Sequence, residues 1–145
     1  MITGIRAVIV DLDGTMVDTL GDFDAALNTT LKDLGRPTVT RADIERMVGK
    51  GSAHLIRSAL LHGGLSADGA AALQAEAWSR YQAHYLAING AHSAVYPGVV
   101  EGLTALQARG LPMACLTNKP RGFAVPLLQA KGLAGFFAHV FGGDS

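Results

Sequence analysis

Ile5-Arg6-Ala7-Val8-Ile9-Val10-Asp11-Leu12-Asp13-Gly14-Thr15 is the stretch that decides the fold of this chain. Its apolar, β-branched start shows no alternation, the pattern of a central parallel strand covered on both faces. The run then breaks into a polar turn with two carboxylates one residue apart and a glycine that tolerates tight backbone. Ligands of open parallel sheets bind just beyond the carboxyl ends of strands, which makes this turn a candidate site. If Asp11 is still extended, its side chain and that of Asp13 point to the same side. Two carboxylates so placed repel unless one holds a proton or a cation lies between them. A hard divalent ion with oxygen ligands, most simply Mg²⁺, meets that need.

Beyond the turn, Leu20, Phe23, Leu27, Leu31 and Leu34 recur at three- and four-residue steps, which predicts a helix over 18–34 closed by Gly35 and Pro37. Thr40, with Asp43 three residues on, reads as a capping box for a helix over 42–47. Further helices are expected over 52–61, ending at Gly63-Gly64, and over 67–88, capped by Ser66. Residues 18–88 thus read as a small helical bundle. After Tyr96-Pro97-Gly98 the pattern changes to helix 99–108, strand 111–116, helix 122–130 and strand 138–141. That alternation belongs to βαβ units on a parallel sheet. The expected organisation is a Rossmann-like α/β core made of residues 1–17 and 92–145, with an all-helical insertion over 18–91.

Twelve basic and twelve acidic side chains cancel, so no global field draws nucleic acid or an anionic membrane. One cysteine, Cys115, rules out an internal disulfide framework. No apolar run approaches a membrane span or a signal peptide, and a soluble, cytoplasmic setting is the default. At 49% hydrophobic and 17% charged, the chain is short of polar surface, as fits one that buries a face against something else.

A second polar loop, Thr117-Asn118-Lys119-Pro120, follows the strand that ends at Leu116. Taken together, Val8 to Thr19 resembles the first motif of the haloacid dehalogenase-like hydrolases, and Leu116 to Pro120 resembles their second. The helical stretch between them looks like the family's inserted cap. Within the family, the whole chain is similar to the N-terminal two-thirds of phosphoglycolate phosphatases. The resemblance implies Mg²⁺-dependent hydrolysis of a small phosphorylated metabolite, with 2-phosphoglycolate as leading substrate. It implies that Asp11 is the nucleophile that forms an aspartyl-phosphate, and that Asp13 protonates the leaving alkoxide and later activates water. It also implies that the Asp11 carboxylate and the Asp13 main-chain carbonyl hold Mg²⁺. The Thr117 hydroxyl and the Asn118 main chain would hold phosphoryl oxygens. The family's third motif, a lysine, and its acidic fourth motif have no counterpart here, and neither Lys119 nor Asp144 stands in a matching place. The core is expected to be incomplete at its C-terminus. The alternatives are a catalytically inactive fragment, which could self-associate through an uncovered sheet edge, or a related small-molecule phosphatase or sugar-phosphate mutase.

Other readings fall away or stay plain. An EF-hand loop would need a ligand and a glycine where Thr15 and Met16 stand. Gly49-Lys50-Gly51-Ser52 is no Walker loop, since Ile44 replaces its first glycine and Gly51 follows the lysine. It reads either as a glycine-rich helix linker or as a cap loop whose Lys50 contacts the substrate's non-phosphate end, where a cation suits a carboxylate. His54, His62, His84, His92 and His139 lack metal spacing. Trp78, Tyr81 and Tyr85 share one helix face and read as cap core. Cys115 reads as a buried small hydrophobe, and Asp22 and Asp24 as first-turn helix acids.

Overall fold

The computed structural model describes residues 3–145, so residues 1 and 2 of the expected core lie outside the described residues. These fall into two units. One holds the described residues up to Asp18 together with Ala94–Ser145, and the other is Thr19–Ser93.

The first unit is built on a parallel sheet of β1 (Val8–Val10), β4 (Met113–Leu116) and β5 (His139–Phe141), in the order β1-β4-β5. Helix α5 (Val99–Ala108) precedes β4, and α6 (Arg121–Ala130) joins β4 to β5. The chain steps across the sheet in one direction only, and right-handed crossovers then lay both helices on the same face. The core agrees: Met113 and Cys115 are buried with Leu103 of α5 and Ala124, Leu127 and Leu128 of α6, and Val8, Val10 and Val140 pack against them. The opposite face carries Ile9, Leu116 and Phe141, which are 68%, 51% and 46% exposed. Among the described residues, β1 is therefore the edge strand of this sheet, covered on one face, which corrects the expectation of cover on both faces. Its lack of alternation marks two apolar faces, of which this sheet buries one.

A two-stranded antiparallel ribbon also belongs to this unit: β2 (Val17–Asp18) pairs with β3 (Ala94–Val95). Two-residue strands leave no periodicity in a sequence, which is why helix alone was expected from residue 18.

The second unit is helical: α1 (Leu20–Asp33), α2 (Arg41–Met47), α3 (Ser52–His62) and α4 (Ala67–Ile88). The Thr40–Asp43 capping box forms in both directions, and the Ser66 hydroxyl accepts from Gly69 N–H. Phe23, Leu27 and Leu31 of α1 are buried, as are Leu55, Ile56 and Leu60 of α3 and Tyr81 and Tyr85 of α4. The rings of Tyr81 and Tyr85 lie 5.6 Å apart and those of Phe23 and Tyr85 6.0 Å, the tilted spacing aromatic pairs favour. Asp22 is a first-turn acid of α1, and a fully buried one: it accepts from Gly90 N–H at 3.1 Å and His92 N–H at 2.8 Å. Asp24, by contrast, pairs with Arg41 at the surface, at 2.9 Å. No helix among the described residues is long and apolar enough to cross a membrane.

Candidate active site

The register of β1 with β4 assembles the candidate site. Val10 pairs with Cys115, so both chains leave the sheet at the same level and on adjacent strands, about 5 Å apart. Asp11 to Thr15 and Thr117 to Lys119 are consequently neighbouring loops at the carboxyl end of one parallel sheet. They are the two loops that the sequence marks out as polar.

The first loop is a compact turn wound on Leu12. Its carbonyl accepts the N–H groups of Thr15, Met16 and Val17 at 3.2, 3.0 and 3.2 Å, while Gly14 N–H returns to the Val17 carbonyl at 2.9 Å. Gly14 sits at φ +75°, a conformation open to glycine and costly for other residues. The Leu12 side chain is fully buried, whereas Asp11 is exposed and the Asp13 side chain is 19% exposed. The apolar residue anchors the turn and the acids on either side stand outside the core. Leu12 N–H donates to Asp11 Oδ1 at 2.8 Å, which holds the carboxylate against its own turn.

The second loop is clamped from behind. Thr117 N–H donates to the Phe141 carbonyl at 2.9 Å, and the Lys119 carbonyl accepts from Gly143 N–H at 3.0 Å. Lys119 N–H donates to the buried Thr117 hydroxyl at 3.1 Å. Asp144 caps the start of α6 by accepting from Arg121 N–H at 2.8 Å. Gly142 and Gly143 are required by contact: a Cβ on Gly143 would lie 2.3 Å from the Asn118 carbonyl oxygen, and one on Gly142 would lie 2.4 Å from Arg121 N. Lys119 itself is buried, and its Nζ meets Asp13 Oδ1 at 2.9 Å.

The profile of the haloacid dehalogenase-like hydrolase family matches residues 5–145. The chain belongs to that family. It is 41% identical to a phosphoglycolate phosphatase of Thiobacillus denitrificans over 97% of its own length and 62% of the relative's. It is 40% identical to a plasmid-borne phosphoglycolate phosphatase of Cupriavidus necator, over 96% of this chain and 59% of that one. Among solved structures, a predicted phosphoglycolate phosphatase from Haemophilus somnus superposes with a TM-score of 0.88 at 29% identity, covering 100% of this chain and 65% of that chain. The chain thus spans about three-fifths of the length of the curated relatives it matches.

For a haloacid dehalogenase-like hydrolase, the donor set of the first turn is of the right chemistry for Mg²⁺: hard oxygens, one carboxylate exposed and a main-chain carbonyl one turn residue away. Asp11, Asp13, Thr117 and Asn118 are all brought to this one end of the sheet. Lys50 belongs to the other unit. It is exposed in the Gly49–Gly51 turn between α2 and α3, in the helical unit. Two features of the site are not expected from the sequence alone, the burial of Lys119 against Asp13 and the Gly142-Gly143-Asp144 brace. The available signal was a lysine two residues after Thr117 and a glycine pair one strand later.

Cys115, on β4 beneath both loops, reports on their charge. Burial, and then the negative charges of Asp11 and Asp13, push its thiol from the ordinary 9.0 up to about 12. Between those values the unfolded chain releases the thiol proton while the folded chain keeps it, so stability falls as pH rises from 9 towards 12. Accordingly, iodoacetamide is expected to leave Cys115 unmodified in the folded protein at pH 8.5 and to alkylate it in denaturant. Modification of the folded protein at a comparable rate would contradict this buried, electronegative setting.

Proposed function

We propose that this protein is a phosphate-monoester hydrolase acting on 2-phosphoglycolate through an aspartyl-phosphate on Asp11. The observation that carries the reading is the parallel register that sets the Asp11–Asp13 turn beside Thr117 and Asn118. The names of the relatives support the substrate. Asp11, exposed and held by the Leu12 N–H, attacks phosphorus. Asp13 gives its proton to the departing alkoxide and later takes one from the attacking water. The Thr117 hydroxyl and Asn118 main chain hold phosphoryl oxygens, so the group being transferred stays in line with Asp11. The Asp11 carboxylate and the Asp13 carbonyl would hold Mg²⁺, which would supply the charge neutralisation that lets a carboxylate approach a phosphate dianion. Its requirement is tested by phosphate release from 2-phosphoglycolate by the full-length protein, with Mg²⁺ and with chelator. Turnover that survives chelation, or its absence with every small phosphate ester supplied with Mg²⁺, would remove the reading.

Lys50 is the proposed contact for the substrate's carboxylate. Lys50→Ala is then expected to raise KM for 2-phosphoglycolate by ~10-fold or more, as loss of one charge-assisted contact would. KM for a neutral-tailed ester such as ethyl phosphate should move by less than ~3-fold, within the spread of a rim contact. Equal changes on the two esters would return Lys50 to the role of a solvated linker residue.

A further inference from the structure

We propose that Lys119 is a positioning residue for Asp13, its buried ammonium fixing the direction in which the carboxylate presents its catalytic oxygen. The proposal rests on the hydrolase reading above, because it assigns Lys119 to the proton-handling step of that reaction. Lysine is rarely enclosed unless paired, and here its side chain is only 2% exposed. Its Nζ lies 2.9 Å from Asp13 Oδ1, the partner that offsets the desolvation of the cation.

The lysine is held at both ends. Its main-chain N–H is tied to the Thr117 hydroxyl, and its carbonyl to Gly143 N–H. The Gly142-Gly143 segment approaches so closely that a Cβ on Gly142 would come within 2.8 Å of the Lys119 carbonyl oxygen. A long side chain with a fixed root and a fixed tip acts as a strut between the two loops. With Oδ1 pinned, the Asp13 carboxylate cannot turn freely, so the direction of its second oxygen is set before substrate arrives. Such preorganisation matters most where a proton must be delivered to a departing oxygen, since a misplacement of 1 Å costs ~100-fold.

The test uses two esters that differ in how much they need an acid. 2-Phosphoglycolate expels an alkoxide, which requires a proton, while p-nitrophenyl phosphate expels a phenolate that leaves unaided. In the full-length protein, Lys119→Met is expected to lower kcat/KM for 2-phosphoglycolate ~100-fold and that for p-nitrophenyl phosphate less than ~5-fold. In an Asp13→Asn background, the same substitution should change kcat/KM for 2-phosphoglycolate by less than ~3-fold, because the two groups act as a unit. Equal losses on both esters would make Lys119 a phosphate-binding or purely structural residue. So would an undiminished loss in the Asp13→Asn background, and either result overturns the proposal. Lys119→Gln, which keeps a donor, serves should the methionine variant not fold.

Wild-type protein that hydrolyses neither ester would remove the hydrolase reading instead. The thermal midpoints of Asp13→Asn, Lys119→Met and the double variant then decide the strut on their own. Additive shifts overturn it, and a double variant less destabilised than the sum supports it.

Discussion

Asp11→Asn is expected to lower kcat for 2-phosphoglycolate by at least ~10⁴-fold, the scale on which loss of a covalent nucleophile or its partner is felt. An amide has the shape of the carboxylate but no anionic oxygen to attack phosphorus. Its carbonyl oxygen can still accept the Leu12 N–H that now binds Oδ1 at 2.8 Å. Asp11 is exposed, and surface substitutions away from buried networks stay within ~0.5 kcal/mol of wild type. Activity should therefore vanish while the thermal midpoint hardly moves. Phosphate release and a melting curve on the same sample read both quantities. A variant that keeps a hundredth of wild-type activity would take the nucleophile's role away from Asp11. One that loses its fold would mean that the loss of activity says nothing about chemistry.

Asp22→Ala carries the largest expected effect on stability. The carboxylate is fully buried in the helical unit and accepts two main-chain N–H groups, from Gly90 and His92. Removing it takes the acceptor away from two part-buried charge-assisted bonds, at roughly 3–6 kcal/mol when each counts for ~1.5–3. For a protein of this size that lowers the thermal midpoint by roughly 10 °C or more. The seam cannot close up to compensate, because the first turn of α1 already touches it: a Cβ on Gly21 would lie 2.3 Å from the His92 carbonyl oxygen. Asp24→Ala, two residues on, breaks a surface pair with Arg41, and exposed pairs contribute ~1 kcal/mol or less. The contrast between neighbours is the measurement. If the two variants melt together, Asp22 is not the acceptor that closes α4 onto α1.

That pair of aspartates shows where a sequence stops being informative. Both stand near the start of an amphipathic helix, and nothing local says which of them is buried. The difference comes from Gly90 and His92, about seventy residues away. Lys119 is a similar case. Its position after Thr117 is plain in the sequence, but its burial and its contact with Asp13 depend on strand pairing across a hundred residues. β2 and β3 were hidden because two-residue strands have no period.

What the amino-acid sequence determined by itself was everything set within one or two turns of chain. The heptad-like spacing of Leu20, Phe23, Leu27 and Leu31 made α1, Thr40 with Asp43 made the cap of α2, and the apolar run into Asp11-Leu12-Asp13-Gly14 made a strand ending in a tight acidic turn. Side-chain period, capping and glycine conformation are local physics, and they are written in neighbouring residues. The tertiary structure alone decided which of those residues share surroundings: that Asp11 and Thr117 lie at one end of a sheet, that Asp22 and Lys119 are enclosed, and that Ile9, Leu116 and Phe141 face outwards. Burial and charge pairing are properties of contacts between distant segments. They exist only once register and crossover direction have been chosen.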